Sequence, residues 1–110
     1  MTIQEGNKIL IDFMGWKNNF PAQYPIELHT SWEKLMCVVE KIENIETEYG
    51  GVESHILSPT WNKKIKNECF FWAGDEIRNI TDTKTDSKIE AVWGACVKFI
   101  IDYNNHLTKL

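Results

Sequence analysis

Cys69-Phe70-Phe71-Trp72-Ala73 is the segment that most restricts what this chain can become. It reads as the best strand in the protein, and it is apolar on both faces instead of alternating. A strand of that kind is normally covered on both sides. The rest of the sequence is therefore expected to supply covering layers for it.

Three segments have the periodicity of amphipathic helices, and each begins with a capping-box signal. In such a box a hydroxyl and a carboxylate three residues apart satisfy orphan backbone N–H groups. The pairs are Thr2 with Glu5, Thr30 with Glu33, and Ser87 with Glu90. The first helix is expected over residues 3–15, with Ile9, Leu10, Phe13 and Met14 on one face and Gly15 as its terminator. The second is expected over 31–48, with Trp32, Leu35, Met36, Val39, Ile42 and Ile45 inward and Gly50-Gly51 stopping it. The third is expected over 88–106, with Ile89, Val92, Trp93, Cys96, Phe99, Ile100 and Tyr103 on its main face. Ala91, Ala95, Val97 and Ile101 add apolar surface around this third cylinder, so it should be central, buried in the domain or in an oligomer interface. Gly94 inside it costs about 1 kcal/mol relative to alanine, which a close backbone approach would justify.

Between the second and third helices lies a β region. Residues 52–57 read as a strand, 61–66 as an edge-like segment with lysines, and Ile77 and Ile80 as a last short strand before a polar loop from Thr81 to Asp86. Residues 16–29, with Pro21 and Pro25, read as a long irregular connection. The whole is one α+β domain over 1–110, with three amphipathic helices packed around a small antiparallel sheet in an α-β-α sandwich-like arrangement.

Net charge −4 and an isoelectric point near 5.3 argue against general nucleic-acid binding, which needs a basic surface. A small nucleotide, held by one or two cations, remains compatible. No run approaches the ~20 apolar residues that span a bilayer, and the first residues lack the basic and apolar regions of a signal peptide. Cys37, Cys69 and Cys96 include no C-x-x-C, and Cys37 and Cys96 fall in helical apolar patterns. Reduced core thiols in a reducing cytoplasm are expected.

Phe13-Met14-Gly15-Trp16-Lys17, Leu28-His29-Thr30-Ser31-Trp32, Val38-Val39-Glu40-Lys41-Ile42 and Ser87-Lys88-Ile89-Glu90-Ala91-Val92-Trp93 leading into Phe99-Ile100 together resemble small phage and prophage proteins. The pattern is similar to the phage α-β-α sandwich domain. The resemblance implies a phage origin and an accessory role in the cytoplasm of the infected bacterium. It brings no catalytic residues with it.

His29 beside Thr30 and Ser31 superficially suggests a nucleophile and base, but helix capping explains Thr30 and no oxyanion loop follows. His29, His55 and His106 lack the close ligand spacing of a zinc site, so neither a metal nor a cofactor is expected. Two clusters combine rings with cations as a nucleotide's base and phosphates require. One is Trp61 with Lys63 and Lys64, running on to Phe70-Phe71-Trp72; the other is Trp16 and Lys17 with Tyr24. Their plain readings are a lysine-flanked core strand and a hydrophobic plug.

The leading expectation is a non-enzymatic anti-defence accessory that sequesters a small nucleotide signal, as a homo-oligomer with sites between subunits. The alternative is an inhibitor or adaptor of a host or phage protein, acting through the acidic surface of the second helix. A small nucleotide hydrolase is the third, with no residue constellation behind it.

Overall fold

The computed structural model describes residues 2–16, 27–47, 50–57, 67–73, 79–85 and 87–107. Helix α1 runs Ile3–Met14. Thr2 Oγ1 accepts from the Glu5 N–H at 3.1 Å. At the other end Gly15 adopts φ 71°, the left-handed region that favours glycine. There the Gly15 N–H donates to Asp12 O at 3.2 Å and the Trp16 N–H to Ile11 O at 3.1 Å, the paired bonds of a Schellman stop.

Helix α2 runs Trp32–Glu43, shorter at both ends than expected. Its cap is Ser31, whose Oγ accepts from the Lys34 N–H at 3.4 Å; Thr30 instead donates to the carbonyl of Glu27 at 3.4 Å. Trp32, placed inward by periodicity, is 40% exposed at the helix's first turn. Helix α3 runs Lys88–Asp102 with Ser87 Oγ as cap, then passes into a π-helical turn over Tyr103–Leu107.

The strands are β1 (Glu46–Thr47), β2 (Gly50–Leu57), β3 (Asn67–Ala73) and β4 (Asn79–Thr85), in spatial order β1-β2-β3-β4 with antiparallel neighbours. Two expectations change here. Glu46 and Thr47, expected at the end of the second helix, form β1, and Gly50 and Gly51, expected to stop that helix, open the strand that pairs back on it. The expected polar loop from Thr81 is the body of β4, because Thr81, Thr83 and Thr85 are β-branched residues at a two-residue repeat. The segments 17–26, 58–66 and 74–78, and with them the expected edge segment and Ile77, lie outside the described residues.

The fold class is α+β, as expected, with three helices and an antiparallel sheet sharing one core. Val52, Cys69 and Phe71 point into it from the sheet. Phe71 meets Phe99 of α3 with centroids 5.4 Å apart, and Ser54 donates to Glu43 of α2 at 3.2 Å. Helix α1 packs on α3 and α2. The described helices thus lie against one face of the sheet. The second apolar face of β3 is covered in part by the His55 ring of β2. Helix α3 is central, with Ala91, Val92, Ala95, Cys96, Val97, Phe99 and Ile100 all buried within a single chain. No helix among the described residues is long and apolar enough to cross a membrane.

The close backbone approach expected at Gly94 is found at Gly6. A Cβ there would lie 2.6 Å from Trp93 Cη2, closer still to Cζ2, and 3.3 Å from Val97 Cγ2. Gly6→Ala should therefore lower stability by about 1–3 kcal/mol, outweighing alanine's helix preference of about 1 kcal/mol. Thermal unfolding measures this, and the penalty should vanish when Trp93 is also replaced by leucine.

Of the cysteines, Cys37 is exposed, contrary to its apolar pattern, while Cys69 and Cys96 are buried. Burial pushes the Cys69 thiol up to about 12 from 9.0. Burial, and then the neighbouring Cys69, raise Cys96 well above its ordinary value. The native protein should react with a thiol reagent at Cys37 alone, and at all three after denaturation. A raised thiol favours the fold until the unfolded chain ionises, so the contribution of Cys69 is complete below pH 9.0 and falls as pH rises from there toward about 12. Alkaline unfolding of a Cys69→Ala variant should show a weaker pH slope in that window.

Candidate functional site

The outward face of the sheet follows from strand alternation. Asn67, Cys69 and Phe71 are buried, so Glu68, Phe70 and Trp72 face the other way, and these three are half-buried. On β2, His55 is registered opposite Phe70, and Glu53 opposite Trp72. These side chains form one cluster. The His55 and Phe70 rings lie almost parallel, 11° between planes and centroids 4.9 Å apart. Trp72 completes the group at 4.6 Å from His55 and 5.3 Å from Phe70. Cross-strand aromatic pairs of this kind stabilise a sheet by roughly 0.2–1 kcal/mol each.

The cluster stands apart from the core, which neither Phe70 nor Trp72 joins. His55 Nε2 lies 3.5 Å from Glu53 Oε2, long for a hydrogen bond, and among the described residues that buried nitrogen has no hydrogen-bond partner. The Glu53 side chain is 76% exposed. The arrangement presents half-buried rings beside a solvated carboxylate. It offers no nucleophile and base in contact.

A second polar group lies where α1, α3 and the turn before α2 meet. The Trp93 indole N–H donates to Asn7 Oδ1 at 2.8 Å, and Asn7 Nδ2 lies 3.0 Å from His29 Nδ1. Asn7 is only 8% exposed. Trp93, expected in the core, is half-buried, with the benzo edge of its indole against Gly6. His29 is thus engaged with Asn7, not with the hydroxyls beside it in sequence. A third contact joins α2 to α1: Lys41 Nζ donates to the carbonyl of Phe13 and sits 4.7 Å from the centre of its ring. It supplies the cation that the last turn of α1 lacks.

Of the six residues expected to bind a ligand, Trp16 is half-buried and packs against the core directly after the Gly15 stop. Lys17, Tyr24, Trp61, Lys63 and Lys64 lie outside the described residues. Among the described residues no group of three His, Cys, Asp or Glu side chains is placed to hold a metal ion. Phe70 and Trp72 were joined in sequence to the Trp61–Lys64 candidate cluster, but their partner His55 was missed because it read as an isolated histidine. The signal that finds it is register: His55 at the centre of one strand pairs across to Phe70 at the centre of the next.

Compared with family models, curated proteins and solved structures, the chain matches none of them.

Proposed function

We propose that this is a non-enzymatic binding protein that docks onto another protein through the outer face of its sheet. The observation that carries the reading is the His55–Phe70–Trp72 cluster, half-buried on a face that no described helix covers. Its rings lie against one another at centroid distances of 4.6–5.3 Å, so part of each face is occupied. Such a surface fits packed side chains of a partner better than a single stacked base, and aromatic patches rimmed by polar groups are typical of protein interfaces. On α2, Glu33, Glu40 and Glu43 are exposed together with Lys34 and Lys41. An inhibitor or adaptor acting in the cytoplasm of a phage-infected bacterium, as the sequence resemblance implies, agrees with this small, compact build. The apolar surface of α3 is used within one chain, so self-association, if it accompanies function, falls to the sheet face as well.

Capture of a small nucleotide is the second reading. In its favour, the connection between β2 and β3 contains Trp61, Lys63 and Lys64 and leads directly into the strand bearing Phe70 and Trp72.

The two readings separate experimentally. The Phe70→Thr/Trp72→Thr double variant keeps strand-forming residues and leaves the buried face untouched. It should fold but lose a stoichiometric partner that the native protein retains from infected-cell lysate, whereas Trp32→Ala should retain it. Undiminished retention by the double variant would remove the sheet face from the account. Thermal unfolding with a panel of linear and cyclic nucleotides addresses the other reading. A bound compound at one hundred times its Kd stabilises by ~2.7 kcal/mol. Such a shift, lost on Lys63→Ala, would put nucleotide capture first.

A further inference from the structure

Asn7 stands between two partners that leave its amide only one useful orientation. The Trp93 indole N–H donates to the Asn7 oxygen at 2.8 Å and cannot accept. The Asn7 amide N–H2 therefore faces His29 Nδ1 at 3.0 Å, and Nδ1 accepts. A neutral histidine takes up a proton on the nitrogen that holds the lone pair, and here Asn7 occupies that nitrogen. Protonation would set two donors against each other. Turning the Asn7 amide over would offer its oxygen to the charged ring, but would set its N–H2 against the Trp93 N–H. Asn7 is 8% exposed, which leaves little room for water to replace either bond.

The surroundings offer the charge nothing in exchange. Within one turn of the three residues the charged groups are Glu5 and Lys8 on α1, Glu27 and Glu33 on either side of His29, and Glu90 on α3. All five are exposed, and among the described residues none bonds to His29. Glu5 is hydrogen-bonded to Thr2, and Glu27 to Thr30. Trp93 cannot follow by moving toward α1, because its benzo edge already lies against Gly6.

We propose that His29 is a proton-operated latch: neutral, it ties the turn before α2 to α1 and α3; protonated, it releases that turn from Asn7. The fold holds the neutral ring, while the unfolded chain takes the proton freely. The stabilisation from the latch is therefore complete above histidine's ordinary range, about pH 6.5, and is lost as pH falls below it. The latch owes nothing to the sheet face and stands or falls apart from the docking reading.

Thermal unfolding of the full chain between about pH 8 and pH 5 tests this, with His29→Asn as reference. An asparagine oxygen there can accept from Asn7 but does not titrate. His55 and His106 are present in both proteins, so their titration cancels. On acidification the wild type should lose about 4 °C more than His29→Asn, as expected for one hydrogen bond in a domain of this size. Asn7→Asp gives both neighbours an acceptor, so the sign should reverse: relative to Asn7→Asp/His29→Asn, it should gain stability as pH falls. In the unmodified protein the Trp93 indole N–H resonance, assigned by heteronuclear NMR, should shift as His29 takes up its proton. That readout stands even where a variant fails to fold. Equal pH dependence in the wild type and His29→Asn, no reversal in Asn7→Asp, or an indole resonance that ignores the titration of His29 would each overturn the proposal.

Discussion

Phe71 and Phe99 meet with ring centroids 5.4 Å apart, both fully shielded from water, and this contact joins the sheet to the helical layer. Burying a phenylalanine completely is worth about 1.5–3 kcal/mol, so the pair is a major share of a small domain's marginal stability. It continues as a series of rings. Phe99 stacks on Tyr103 at 6.2 Å, and Tyr103 meets Phe13 edge-on at 6.5 Å, which carries the packing from β3 through α3 and its π-helical extension to the end of α1. Once Phe71 is committed inward, alternation leaves Phe70 and Trp72 no choice but the opposite face. The core and the candidate docking surface are two outcomes of one strand's pleat.

That coupling explains which parts of the fold were legible in sequence. Helices were readable because caps and periodicity act locally. Thr2, Ser87 and Gly15 perform the roles their spacing suggests, since each depends on atoms within one turn. Reading failed where distant residues decide. Thr30 and Ser31 are chemically similar caps, and the bond from Thr30 to Glu27 settles which one serves. The threonines of β4 look like loop until a partner strand gives their repeat a ladder to join. Gly94 seemed the natural place for a close approach, yet the ring that needs room, Trp93, lies over Gly6 on another helix.

The candidate site was less legible still, for the same reason. Its members come from two strands and are ordinary residues individually: a histidine, a phenylalanine, a tryptophan and a glutamate. Only register brings them together. The doubly apolar run at 69–73 asks for cover on both sides, and the described helices cover the Cys69 and Phe71 face. What sequence could not show is that part of this cover comes from His55, whose imidazole lies flat against Phe70. A polar ring used as a lid leaves the surface partly open, which a helix would not.

The Trp93–Asn7–His29 connection has a directional logic. An indole nitrogen only donates, so the Asn7 oxygen must face Trp93 and its amide nitrogen must face His29. The Nδ1 of His29 then accepts, and the imidazole carries its hydrogen on Nε2. A histidine in that tautomer shows its surroundings a donor, with no lone pair on Nε2 for a substrate proton or a metal ion. One tryptophan on α3 thereby sets the polarity of a side chain sixty-four positions earlier in the chain.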